Sequence, residues 1–183
     1  FKPAVEPFCA ALDVTEKTGD LVVQTRVLNY MAVVYRRMNN LEKTIEFTER
    51  TLQVALKSNM PEYIGSAYAN YAWIAYRKEN FEQVMEWYGK ATDEWARIPN
   101  YKAFLVIHWL VLFPVLSVQV NKERVGEAIA TASAIIDPAQ KKLPDELTGA
   151  LKKAINEFEA ENQQHALSLL HKALRMAANH SYL

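Results

Sequence analysis

The chain has 183 residues, with 21 basic and 21 acidic side chains and a formal charge of zero. Half of it is hydrophobic and 23% is charged, enough apolar side chain for a core and too little charge for a disordered tail. That balance supplies no cationic field for nucleic acid or an anionic membrane, and the single cysteine, Cys9, leaves no disulfide framework.

Residues Phe1 to Glu6 carry one lysine and none of the apolar stretch of a secretory signal, and no methionine starts the chain. The expectation is a cytoplasmic segment of a longer protein, 1–183 forming a single domain. The pattern that follows is helix, short turn, helix. Pro7 to Lys17 reads as the end of one helix, stopped at Thr18-Gly19-Asp20, with Cys9 as a small buried hydrophobe. Leu21 to Met38 carries Val23, Val27, Leu28, Met31, Val34 and Tyr35 near the 3.6-residue period of an α-helix. After the turn at Asn39-Asn40, Leu41 to Leu56 repeats it, with Glu46 and Arg50 four apart on the outside.

Ser58-Asn59-Met60-Pro61 separates this hairpin from the next, with Pro61 placed as a first helical residue. The second hairpin is predicted over Glu62 to Lys78 and Phe81 to Arg97, the third over Tyr101 to Val120 and Glu123 to Ile136. The fourth runs over Pro144 to Ala160 and Gln163 to Asn179. The apolar run from Ala103 to Val118 falls short of the ~20 residues of a bilayer span and contains His108 and Pro114, so it reads as a buried central helix.

The strongest signal is a repeat. Ala32-Val33-Val34-Tyr35-Arg36-Arg37, Asn40-Leu41-Glu42 and Glu46 align without a gap on Ala72-Trp73-Ile74-Ala75-Tyr76-Arg77, Asn80-Phe81-Glu82 and Glu86, at a constant offset of 40. A fixed period of this size predicts stacked two-helix units. Ala32, Ala72 and Ala154 on the first helices, and Ala91 and Ala173 on the second, let antiparallel helices approach closely. Tyr35, Phe81, Tyr88 and Leu170 fill the space beside them.

At these residues the chain resembles the tetratricopeptide repeat proteins. Ala72, Asn80, Phe81, Tyr88 and Ala91 match that pattern, as do Ala32, Tyr35, Asn40 and Leu41, and Ala154, Asn162, Ala166 and Ala173. The likeness covers Val14 to the end, with a degenerate third repeat and a period of 40 against the usual of about 34. Long repeats of this kind are similar to those of large bacterial signalling ATPases, of the maltose-regulator type or linked to a nucleotide cyclase. Tyr63-Ile64-Gly65, Ala72-Trp73, Tyr76-Arg77, His108-Trp109 and Leu143-Pro144-Asp145-Glu146-Leu147 carry that further likeness.

The resemblance implies an all-α, right-handed superhelical stack of about four hairpins, and a concave groove that grips a protein segment or a neighbouring domain of the same polypeptide. The groove positions would be Arg26, Asn29, Val33, Arg36 and Arg37, then Ser66, Ala69, Trp73, Tyr76 and Arg77. Guanidinium groups suit carboxylates and aromatics bury area at low entropy cost, so an acidic or amphipathic segment fits. The plainer reading is a solvated charged face with Trp73 partly packed between hairpins. The lysine-asparagine clamp of chaperone-binding relatives would need asparagine at Val33 and a basic residue at Asn29, so the resemblance does not extend to chaperone tails.

Catalysis finds no motif. His108, His165, His171 and His180 make no zinc spacing, and no glycine-rich phosphate loop occurs. No cofactor, metal or catalytic residue is expected, and any ATPase or cyclase activity would belong to another part of a longer protein. Two alternatives stay open: a freestanding adaptor, and a small-molecule sensor around His108, Trp109 and Trp73.

Overall fold

The computed structural model describes residues 2–100 and 107–183. The chain divides into two compact units, Phe1–Tyr101 and Lys102–Leu183. All regular structure among the described residues is helical. The first unit holds α1 (Lys2–Thr18), α2 (Leu21–Arg37), α3 (Leu41–Lys57), α4 (Pro61–Arg77) and α5 (Phe81–Ala96). The second holds α6 (Trp109–Asn121), α7 (Val125–Ile135), α8 (Asp145–Glu159) and α9 (Gln163–Asn179).

After α1, the helices of the first unit start at residues 21, 41, 61 and 81, and a left-handed residue stands two positions before each: Gly19 (φ 72), Asn39 (φ 58), Asn59 (φ 50) and Glu79 (φ 57). The next residue closes the old helix and opens the new one. The Asn40 N–H returns to the Tyr35 carbonyl at 3.0 Å, and the Asn80 N–H to the Ala75 carbonyl at 2.9 Å. The same asparagines accept from the amides of Lys43 and Gln83, at 3.0 and 3.2 Å, as N-caps. Met60 has no capping side chain. Pro61 follows it as the first helical residue, where its missing N–H would have had no partner anyway.

Each helix of this unit packs on the next, and α2 also touches α4. Leu28, Met31 and Ala32 of α2 form a core with Leu12 of α1 and Phe47 of α3, while Tyr35 stacks on Phe47 at 5.3 Å between ring centroids. Burying a leucine or phenylalanine contributes about 1.5–3 kcal/mol, so this cluster anchors the first hairpin. Ala32, Ala72, Ala91, Ala154 and Ala173 are all fully buried, as close helix approach requires.

One expectation for α1 changes, that for Cys9. The helix begins at Lys2 and contains Pro7, which forgoes one bond to the carbonyl four residues earlier near the helix start. Cys9 is exposed, not buried: Phe8, Leu12 and Thr15 face the core, and Cys9 points to the other side.

In the second unit α6 packs on α7, α7 on α8 and α8 on α9, and both α6 and α7 reach α9. Tyr182, just past α9, closes the unit against Trp109 (5.0 Å, edge-on) and Phe113 (5.2 Å). The hairpins therefore associate differently here. In the first unit the leading helices of successive hairpins, α2 and α4, touch; in the second, the leading helix α6 reaches the trailing helix α9. Of the helix predicted over 101–120, residues 101–106 lie outside the described residues, and α6 runs on from Trp109 through Pro114. Every residue of α6 from Trp109 to Val120 is buried, as a helix apolar on all sides demands. Among the described residues no helix is long and apolar enough to cross a membrane.

Candidate functional site

The ten groove positions of the sequence reading all fall on α2 and α4, the two leading helices that touch. Spacings of three and four set Arg26, Asn29, Val33 and Arg36–Arg37 along one face of α2, and Ser66, Ala69, Trp73 and Tyr76–Arg77 along the matching face of α4. The structure gathers them but does not leave them open. Asn29, Arg36, Ser66, Ala69 and Trp73 are buried, with Trp73 at 0% and Arg36 at 1% exposure. Val33, Arg37, Tyr76 and Arg77 are half-buried, and Arg26 alone is exposed. The face expected to be solvent-lined is a closed strip with a half-exposed rim.

The centre of the strip is electrostatically tense. Arg36 Nη1 donates to Asn70 Oδ1 at 3.3 Å, and its guanidinium carbon lies 5.3 Å from the centroid of the Trp73 ring. Burial, and then the charge of Arg37, hold its pKa well below the usual arginine value. Arg77 also lies against Trp73, at 5.1 Å, and its guanidinium donates to Asn39 Oδ1 in the turn after α2. A cation on an indole face is worth about 2 kcal/mol when desolvated, so the tryptophan offsets part of the arginines' desolvation. Ser66 spends its hydroxyl on its own helix, donating to the Glu62 carbonyl at 2.7 Å.

Among the described residues, the buried atoms Asn29 Oδ1, Asn70 Nδ2 and Trp73 Nε1 on these helices meet no hydrogen-bond partner. A buried donor or acceptor left unmade costs about 1–3 kcal/mol. Asn70 was not singled out by the sequence. The signal was present: it lies three residues before Trp73, and its repeat equivalent is the large aromatic Tyr30.

The residues suggested for a small-molecule pocket divide between the units, Trp73 in the first and His108 and Trp109 in the second. The His108 amide donates to Gln140 Oε1 at 3.0 Å. His165 pairs with Glu157 at 3.1 Å, not with the Glu161 four residues before it, because a turn at 160–162 intervenes. His180 pairs with Glu146 at 2.7 Å, tying the start of α8 to the end of α9. Among the described residues no three His, Cys, Asp or Glu side chains group closely enough to hold a metal ion.

Fold and site together define a chain whose regular structure, among the described residues, is all helical, with a repeated pair of hairpins and a basic-aromatic strip between their leading helices. No protein family, no curated protein and no solved structure matches the chain.

Proposed function

We propose that this chain is a non-catalytic interaction scaffold, built of tetratricopeptide-like hairpins in a right-handed superhelical stack. Its partner is an acidic or amphipathic protein segment, in trans or in a neighbouring domain of the same polypeptide. Its setting is a cytoplasmic, larger bacterial signalling ATPase, in which engagement of the strip alters how the hairpins lean on each other and so biases an effector domain. The observation that carries the reading is that α2 and α4, whose sequences repeat at an offset of forty, touch along a strip where Arg36 and Arg77 both lie against Trp73. These residue types dominate binding energy at protein interfaces, and the arginines select carboxylates.

The test is a calorimetric titration of the chain with a short peptide rich in Glu and Leu and with its Lys-for-Glu counterpart. The reading expects binding of the acidic peptide only, weakened about tenfold or more by Arg37→Glu or Arg77→Glu on the rim. Equal affinity for both peptides, or indifference to the charge reversals, would overturn it.

A further inference from the structure

We propose that the surface groove between α1 and α2 is a docking site for an amphipathic α-helix of a partner protein, lying parallel to α2. The inference goes beyond the α2–α4 strip and does not depend on it.

The repeat identifies the groove. Within the first unit α2 packs on both α3 and α4. On α3 it covers Phe47, whose ring stacks on Tyr35, and Val54 packs against the same core. On α4 it covers Asn70, which accepts from Arg36, and Tyr63, whose hydroxyl lies beside Arg26. These four residues are buried or half-buried. Forty positions earlier stand Pro7 and Val14 on α1 and Val23 and Tyr30 on α2. All four are exposed, Val14 at 59%, Val23 at 39% and Tyr30 at 50%. Each pair is seven apart, two turns along one side of its helix. Phe8 of α1 stacks on Tyr30 at 5.9 Å between ring centroids, so the two helices meet along this row of apolar side chains.

The same comparison says what fits. Arg26 with Tyr63, Arg36 with Asn70 and Asn39 with Arg77 advance together along both helices, so α2 and α4 run parallel. An occupant in that relation to α1 and α2 is a helix parallel to α2. Where α2 brings Arg36 to an amide, the occupant meets the ring of Tyr30; where α2 brings Arg26 to a hydroxyl, it meets Val23. Apolar side chains therefore take the places of those arginines, on a face with anchors at i, i+3, i+4 and i+7. An apolar row left in water is the kind of surface that a partner covers. A two-fold pair of copies brings one face of α2 to itself. The contact with α4, by contrast, joins unlike faces: α2 meets α4 through Arg36, on a different side from Tyr30.

The experiment adds the full chain to a fluorescein-labelled helical peptide as long as α2, 17 residues, and follows fluorescence anisotropy. The peptide carries leucine along one face and Glu and Lys elsewhere; the control has the same composition with its leucines scattered around the helix. The expected result is saturable binding of the amphipathic peptide alone, weakened about tenfold or more by Val14→Glu and by Tyr30→Glu. Tyr30→Glu also removes the stack on Phe8; if that variant does not fold, Val14→Glu, at an outward-facing position, decides alone. Equal binding of both peptides, no binding of either, or indifference to Val14→Glu overturns the proposal. A chain that sediments as a dimer, and as a monomer once Val14→Glu is introduced, assigns the groove to a second copy and overturns it as well.

Discussion

Trp95 of α5 donates its indole N–H to the carbonyl of Glu62 at 3.2 Å, and the same ring fills the space beside Gly65 of α4. A β-carbon on Gly65 would lie 2.3 Å from Trp95 Nε1 and 2.5 Å from Cδ1. Glycine is required at 65 for packing, since its φ is unremarkable and the indole leaves no room.

Gly65→Ala is therefore expected to destabilise the first unit by about 1–3 kcal/mol, the usual effect of overpacking a well-filled contact. Urea unfolding followed by tryptophan fluorescence measures it. Trp95→Phe in the same chain should return part of the loss, because the smaller ring withdraws from the β-carbon. A parent-like midpoint for Gly65→Ala would contradict the α4–α5 contact described.

Ala72 is fully buried where α4 meets its neighbours, so Ala72→Leu should likewise lose about 1–3 kcal/mol. The repeat makes a second demand: Ala32→Leu, forty residues earlier and equally buried, should behave in the same way. Thermal melts in which one variant is silent and the other disruptive would show that the two hairpins are not equivalent.

The twenty-residue rhythm of turns can be tested from the other direction. Glu79 adopts a left-handed conformation that a side chain disfavours, so Glu79→Gly should raise stability by about 0.5–1 kcal/mol. Asn80→Ala removes the side-chain acceptor for the Gln83 amide and should lower it by about 1 kcal/mol. Melting temperatures that move the opposite way in both variants would rule out the cap arrangement.

The hydroxyl of Tyr71 is pushed up to about 12, by burial first and then by the nearby Glu49 and Tyr68. An unfolded tyrosine titrates near 10. Between these values the unfolded chain releases the proton and the folded chain keeps it, so this contribution is intact below pH ~10 and is lost as pH rises toward 12. Denaturation midpoints across that window should fall, and Tyr71→Phe should flatten the fall. Tyr63, raised chiefly by burial, adds to the same trend.

Much of the first unit was legible because its information is local. Ala32 and Ala72 mark close helix approaches, and Asn40 and Asn80 mark turns; each acts within a few residues of its position. The burial of Arg36 was not legible. Helical periodicity tells which residues share a face and says nothing of whether that face is covered, and arginine is among the residues least often fully buried. Cys9 failed for the converse reason, a small apolar residue on a side of α1 that the core does not use. In the second unit the hairpins could be counted from the sequence, but the reach of α6 to α9 and the closure of Tyr182 over Trp109 and Phe113 join residues about seventy positions apart, beyond what a local pattern carries.

Amide hydrogen exchange of the full chain, with and without a saturating Glu/Leu-rich peptide, tests most directly whether the strip between the leading helices is the working surface. Slowed exchange along α2 and α4, centred on Asn29 to Arg37 and Ser66 to Arg77, is the predicted result. Protection confined to α7, α8 and α9, with α2 and α4 unchanged, would contradict it.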